Sequence, residues 1–277
     1  MKRILLALCA AAISMSGFAQ TDTTAKDKTD TIKVGGMIII KKGGDKDNDD
    51  RRDDKQVTIS NRRKKNSNVS TNWWIVDLGF SNVDDKTDYA AAQASGFIAP
   101  GMGEDHFKLR TGKSVNVNIW AFMQKLNLIK HAVNLKYGLG VELNNYHFDD
   151  ERVRFQKNPT RVDLGHTQEL KKNKLAVDYV TVPLLLNFDF TPNRKRGFGF
   201  SAGVSGGYLY SARQKIKVND DKDKLRDDFD LNRWKIAYIG ELNLGPVRLY
   251  GSYSKDNMWD KGLNQNPYTV GVRFSAQ

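Results

Sequence analysis

The chain has 277 residues, with 44 Lys and Arg against 32 Asp and Glu, one Cys, and a hydrophobic fraction of 39%. That length and apolar content allow one large or two modest domains with a buried core, while no run approaches the roughly 18–20 apolar residues of a membrane-crossing helix. The formal charge of +12 points to anionic surfaces as partners, and the order of the segments described next argues against nucleic acid.

Lys2-Arg3 precede an apolar stretch from Ile4 to Ile13, and Ser16-Gly17-Phe18-Ala19 follow. A basic start, a short apolar middle and small residues before the cut predict a secretory signal over residues 1–19, cleaved after Ala19. Cys9 lies inside the apolar stretch behind the bulky Leu8, which does not suit lipidation, and it leaves with the signal. The exported chain then has neither a disulfide framework nor a thiol site.

Residues 20–69 hold one apolar island, Val34 to Ile40, and one β-like run, Gln56 to Ser60, among dense mixed charges. Such a segment buries too little apolar surface to offset its ordering entropy, so it is expected to be a mostly flexible periplasmic segment, with a small hairpin between the two runs as an option. Asp45, Asp47 and Asp49 imitate the start of a calcium loop, but Asp50 stands where that loop needs Gly and Gln56 where it needs Glu.

From residue 70 to 277 the pattern becomes period-two alternation broken by polar gaps. Eight runs stand out, at about 74–80, 115–124, 133–144, 180–190, 198–213, 233–244, 247–254 and 268–274. The gaps after the second, fourth and sixth runs are short (127–130, 191–196, 245–246). Those after the first, third, fifth and seventh are long and polar (82–111, 148–174, 214–232, 255–266). An even strand count with alternating tight turns and long loops is the pattern of a transmembrane β-barrel. The fold class is therefore all-β, an eight-stranded antiparallel barrel.

Along these runs the polar parity carries Asp77, Lys136, Glu142, Asp189, Arg213, Lys235, Glu241, Arg248 and Arg273. Charges of this density are costly in a dry core and costlier in hydrocarbon. An inverted barrel resolves the conflict by turning the apolar side chains to outer-membrane lipid and pairing the nine charges in the lumen as a structural network. Trp74, Phe188, Phe190, Phe198, Phe200, Trp234, Tyr268 and Phe274 are the expected interfacial aromatics. Eight strands leave a lumen that side chains fill, so an internal plug is expected rather than a wide pore.

Asp178-Tyr-Val-Thr-Val-Pro-Leu-Leu-Leu-Asn187 resembles the Tyr-x-x-x-Pro-Leu-Leu strand of the PorT-like outer-membrane β-barrel family of Bacteroidetes. The resemblance covers about residues 70–277 and implies an outer-membrane location and an eight-stranded barrel. It implies little about activity, although one member class takes part in protein secretion. Pro183 shares the lumen parity and cannot donate a ladder hydrogen bond, so a bulge or local twist is expected there.

Enzymatic signals are weak. Gly203-Val-Ser-Gly-Gly207 matches G-x-S-x-G but sits within a strand with no helix after it. His147 at the outer end of the third run is the residue on which a rim-active lipid hydrolase or acyltransferase would have to be built; His106 and His166 lie in outer loops, and His131 at the opposite turn. The first outer loop carries Asp84, Asp85, Asp88, Glu104 and Asp105 and reads as either a binding loop or a solvated one. The favoured reading is a non-enzymatic barrel without cofactor or metal, acting through its outer loops and, by way of residues 20–69, on a periplasmic or envelope protein. The alternatives are the lipid enzyme and a narrow channel.

Overall fold

The computed structural model describes residues 30–34, 37–41, 67–165, 170–192, 197–218 and 221–274. The signal and its cleavage point, Asp45 to Asp50, Gln56 to Ser60 and His166 lie outside them. Two units are distinguished, residues 1–66 and 67–277. In the first, β1 (Asp30–Val34) pairs antiparallel with β2 (Met37–Lys41). The apolar island thus pairs with the residues just before it.

The second unit is a closed ring of eight antiparallel strands. They are β3 (Val69–Asp85), β4 (Val115–Ile129), β5 (Val133–His147), β8 (Leu170–Asp189), β9 (Phe198–Val218), β11 (Trp234–Leu244), β12 (Val247–Ser254) and β13 (Gln265–Phe274). Each strand pairs with its neighbours in chain order, β13 returns to β3, and all ladders are antiparallel. Closure leaves no unpaired edge, the condition a sheet must meet to cross hydrocarbon. Short turns join the strands at one end. At the other end the connections hold the helices α1 (Tyr89–Ala94) and α2 (Glu104–Phe107), the hairpin β6 (Val153–Gln156) with β7 (Arg161–Leu164), and β10 (Asp221–Arg226), which prolongs the sheet beside the upper half of β9.

The wall is inverted. Leu78, Phe80, Leu139, Val180, Val182, Leu184, Leu186, Val204, Ile236, Leu242 and Val270 are exposed on the outside, while Asp77, Asn116, Asn134, Asn144, Glu142 and Glu241 are buried inside. Aromatics gather in two bands. Near the short-turn end Trp73 packs on Phe122 and Phe188 stacks on Phe200 at 4.7 Å between centroids; Trp74, Phe190, Phe198 and Phe274 are exposed beside them. Near the other end Tyr208 meets Trp234 edge-on at 5.0 Å, with Tyr210, Tyr253 and Tyr268 exposed around the ring.

Local irregularities at Ala121, Trp74 and Tyr210 adjust the alternation along the wall. On β4 the register against β5 shifts between Trp120 and Phe122, so Ala121 is a bulge. Opposite it Trp74 adopts φ 54°, and the β3–β4 ladder passes from Trp73 to Ile75. The bulge reverses parity below it, so Met123 is buried in the lumen and Gln124 turns to the wall, where it binds Thr71 and Tyr137. Both differ from the straight alternation read in the sequence. On β9 a register shift leaves Tyr210 unpaired between Asp178↔Ser211 and Tyr179↔Leu209. At Pro183 there is no register shift: Tyr137 still faces Leu184 and Gly140 still faces Thr181, and only the pairings between them are missing from the ladder. The proline removes donors locally without adding a residue.

Candidate functional site: the lumen network and the outer cap

Arg273 on β13 lies at the centre of the lumen. Its Nε and Nη2 donate to the two carboxylate oxygens of Asp77 on the adjacent β3 at 2.6 and 2.7 Å, a bidentate fork, and its Nη1 donates to Glu241. Trp120 Nε1 donates to Asp77 at 2.7 Å, and Asn118 Nδ2 donates to the same carboxylate at 3.3 Å. On the far side Lys136 donates to Glu241, which also accepts from Ser201 at 3.3 Å. The Arg273 guanidinium also lies 5.7 Å from the Trp120 ring.

One layer outward, Lys235 donates to Glu142 and lies over the Tyr179 ring at 5.4 Å. From Glu142 a continuous line of hydrogen bonds crosses the lumen. Asn144 donates to Glu142 (3.1 Å), Asn116 to Asn144 (2.9 Å), and the Tyr250 hydroxyl to Asn116 (2.6 Å). Tyr250 can reach across because Gly79 and Gly271 oppose each other beneath its ring. A Cβ at Gly79 would stand 2.5 Å from the Tyr250 hydroxyl, and one at Gly271 2.6 Å from its ring. A lower pair, Lys125 with Asp189 at 3.2 Å, and Arg248 border a cavity of about 360 Å³ at the short-turn mouth.

Of the nine charges expected in the lumen, eight face it: Asp77, Lys136, Glu142, Asp189, Lys235, Glu241, Arg248 and Arg273. Arg213 does not. The Tyr210 bulge reverses parity on the upper part of β9, so Gln214 turns inward, buried against Asn173 and Val153, and Arg213 stands on the outer wall. There it pairs with Asp178, which shares the wall face with Leu143. Lys125 was missed for the same reason, since only the Ala121 bulge brings it inward. Tyr250 and the asparagines carry the correct parity in the sequence but lack a charge to draw attention.

Above the network the long loops fold into an apolar cap. Ala92, Phe97, Ile98, Met102 and Phe107 from the first loop meet Phe148, Val153, Phe155 and Val162 from the second. Phe229 and Leu231 come from the third, and Met258, Trp259 and Leu263 from the fourth. Phe155 stacks on Trp259 at 5.5 Å, and Phe97 meets Trp259 edge-on at 6.0 Å. The cap continues into Leu175, Val177, Tyr179, Leu209 and Ala212 on the barrel's inner face. Bridges Ile98↔Val162, Leu109↔Phe148 and Leu231↔Trp259 tie the loops together.

The acidic residues of the first loop are largely absorbed by this construction. Asp85 accepts from Tyr89 and Gln265, both at 2.7 Å, and Asp88 caps α1 through Ala91 N–H at 3.0 Å. Asp84 pairs with exposed Lys86 at 2.8 Å, and Asp105 with Lys108 at 2.5 Å. No group of three metal-ligating side chains occurs among the described residues.

A rim hydrolase would need His147 to activate a hydroxyl. Ser114 is beside it, but the Ser114 hydroxyl accepts from the His147 backbone N–H at 2.9 Å, not from the ring. Burial, with Lys174, Lys172, Lys113 and Arg110 around the imidazole, holds its pKa down to about 4, and no carboxylate orients it as a base among the described residues. Ser205 of the G-x-S-x-G match is buried mid-strand opposite Pro183.

Residues 62–254 match the family described as outer membrane protein beta-barrel domain. A solved structure, that of Ail, the attachment invasion locus protein of Yersinia pestis, aligns over 74% of this chain and 98% of that one, at 10% identity and a TM-score of 0.30. No curated protein sequence matches.

Proposed function

The chain belongs to the outer membrane protein β-barrel domain family, and from that premise we propose that it is a non-enzymatic, non-conducting barrel that presents its folded outer cap as a binding surface. An outer-membrane location follows from the family. The observation that carries the reading is double closure of the lumen: ion pairs from Arg273 to Asp77 and Glu241 block its middle, and the Phe155–Trp259 cluster seals its outer end. A pore needs a continuous wet path, and a rim enzyme needs a base poised on a nucleophile. The geometry supports neither.

Within the family, the resemblance of the Tyr179 to Leu186 segment to the Tyr-x-x-x-Pro-Leu-Leu strand supports a PorT-like reading. Cleavage after Ala19 then leaves residues 20–69 in the periplasm as the second binding element, for an envelope protein. Planar-bilayer recording on the full chain, together with turnover of labelled phospholipid, tests the reading. Silence in both is expected. Discrete conductance steps would refute closure, and turnover lost in His147→Ala would refute the non-enzymatic assignment. Residues 20–69 used as bait against a periplasmic extract should retain a specific partner that the barrel alone does not.

A further inference from the structure

Above the apolar belt, the outer wall over β8, β9 and β10 is a lattice of like charges. The registers set Lys174 opposite Lys215, Lys215 opposite Lys224, and Arg213 opposite Arg226, all on one face, with His147 of β5 opposite Lys174. Lys172 stands two residues above Lys174 on the same face of β8. Directly opposed side chains in an antiparallel ladder lie about 5 Å apart at Cβ, and like charges there destabilise the sheet. Among the described residues, the carboxylate on this face is Asp178, already taken by Arg213, and no ion pair between them reaches Lys172, Lys174, Lys215 or Lys224; Lys174 donates to the neutral Asn145 at 2.5 Å. The charge is segregated by face: Asp223 of β10 is in register with inward-facing Ile216, on the opposite side of the sheet from Lys224.

The position of the lattice selects what neutralises it. Tyr208 and Tyr210 mark the upper edge of the lipid-facing wall, and Tyr210 is half-exposed. With a rise of about 3.3 Å per residue and a strand tilt near 45°, Arg213 and Lys215 stand about 7 and 12 Å above Tyr210. The headgroup layer of one leaflet is about 5–8 Å thick beyond the hydrocarbon. Arg213 therefore stands at headgroup level, and Lys215, with Lys174 and Lys224 in register beside it, stands a few ångströms above it, where a long lysine side chain reaches back to the headgroup phosphates. A cavity of about 210 Å³ lined by Arg110, Lys113, His147, Glu151 and Lys172 adjoins the lattice, with the Glu151 carboxylate held by Arg110 at 2.9 Å.

We propose that this face binds the phosphates of an outer-leaflet lipid headgroup, with Lys174, Lys215 and Lys224 as the principal contacts and Arg213, held by Asp178, as a fixed flank. The lipid's acyl chains then lie along the exposed Val180, Val182 and Tyr208 below. Bound phosphate removes the cross-strand repulsion, so the lipid stabilises the extended part of β8, β9 and β10.

The test uses the full chain in phosphatidylcholine nanodiscs. One set is plain, one contains phosphorylated lipid A, one contains its dephosphorylated form, and one is plain with inorganic phosphate added. Wild type is compared with K174Q/K215Q/K224Q. In plain discs the variant, relieved of repulsion, melts above wild type. In phosphorylated lipid A discs the order reverses, and the His147 ring resonance of wild type moves, several-fold less in the variant. The same melting order in both discs, or an unmoved His147 resonance, overturns the proposal. An equal response to inorganic phosphate overturns the lipid as its source, and an equal response to the dephosphorylated lipid overturns the role of phosphate. Lys215→Gln alone gives the same sign of effect should the triple variant fold poorly.

Discussion

Replacing Arg273 with Met keeps the length and apolar bulk of the side chain and removes the charge that joins two carboxylates. The Arg273 side chain is 7% exposed and lies between Asp77, fully buried, and Glu241, 6% exposed. Glu241 retains Lys136. Asp77 retains only the neutral donors Trp120 and Asn118, so the cost falls mainly on Asp77. Removing one partner of a buried pair costs about 3–5 kcal/mol, and a loss in that range is expected. Asp77→Asn in the same background leaves no buried charge uncompensated and should recover most of it, which a double-mutant cycle reads as a large coupling energy. The assay is urea unfolding in lipid vesicles followed by tryptophan emission, with Trp120 reporting on the site itself. A loss below about 1 kcal/mol, the scale of a solvent-exposed pair, would show that water reaches Arg273 and would refute the closed lumen.

Trp259→Ala removes the ring on which Phe155 and Phe97 pack, and a loss of about 3–5 kcal/mol of cap stability is expected. Limited proteolysis should then cut the outer loops while the heat-modifiable barrel band persists. Gly271→Ala places a methyl 2.2 Å from the Leu78 carbonyl oxygen and 2.6 Å from the Tyr250 ring. Overpacking of this kind costs about 1–3 kcal/mol, and the melting temperature in detergent should fall. In detergent without phosphorylated lipid, His147 should titrate near 4 by NMR, against an ordinary value of 6.5, because of burial and its lysine neighbours. The unfolded chain then takes up the proton first as pH falls, so this residue's contribution to stability is complete above pH 6.5 and declines toward pH 4. His147→Gln should flatten that part of the stability profile.

The barrel was legible in the sequence because a strand's side-chain period of two is local. Once lipid lies outside, Val180, Val182, Leu184 and Leu186 and the opposing Asp77, Lys235, Glu241 and Arg273 have their sides fixed by parity, and the alternation of short and long gaps orients the hairpins. Parity holds only until a bulge, and bulges answer to tertiary packing. Ala121 is extruded between inward Trp120, which reaches Asp77, and inward Met123, and Tyr210 where β9 passes from pairing with β11 to pairing with β10. Arg213 was therefore misplaced and Lys125 overlooked. The cap was illegible for another reason. Phe97, Phe155, Phe229 and Trp259 are isolated apolar residues in polar loops, with no period among them, and their burial exists only because the closed ring brings four loop ends together over one mouth. Sequence by itself determined the wall, since each residue there needs only its own neighbours. What fills the wall depends on contacts between residues far apart in the chain, and only the tertiary structure decided those.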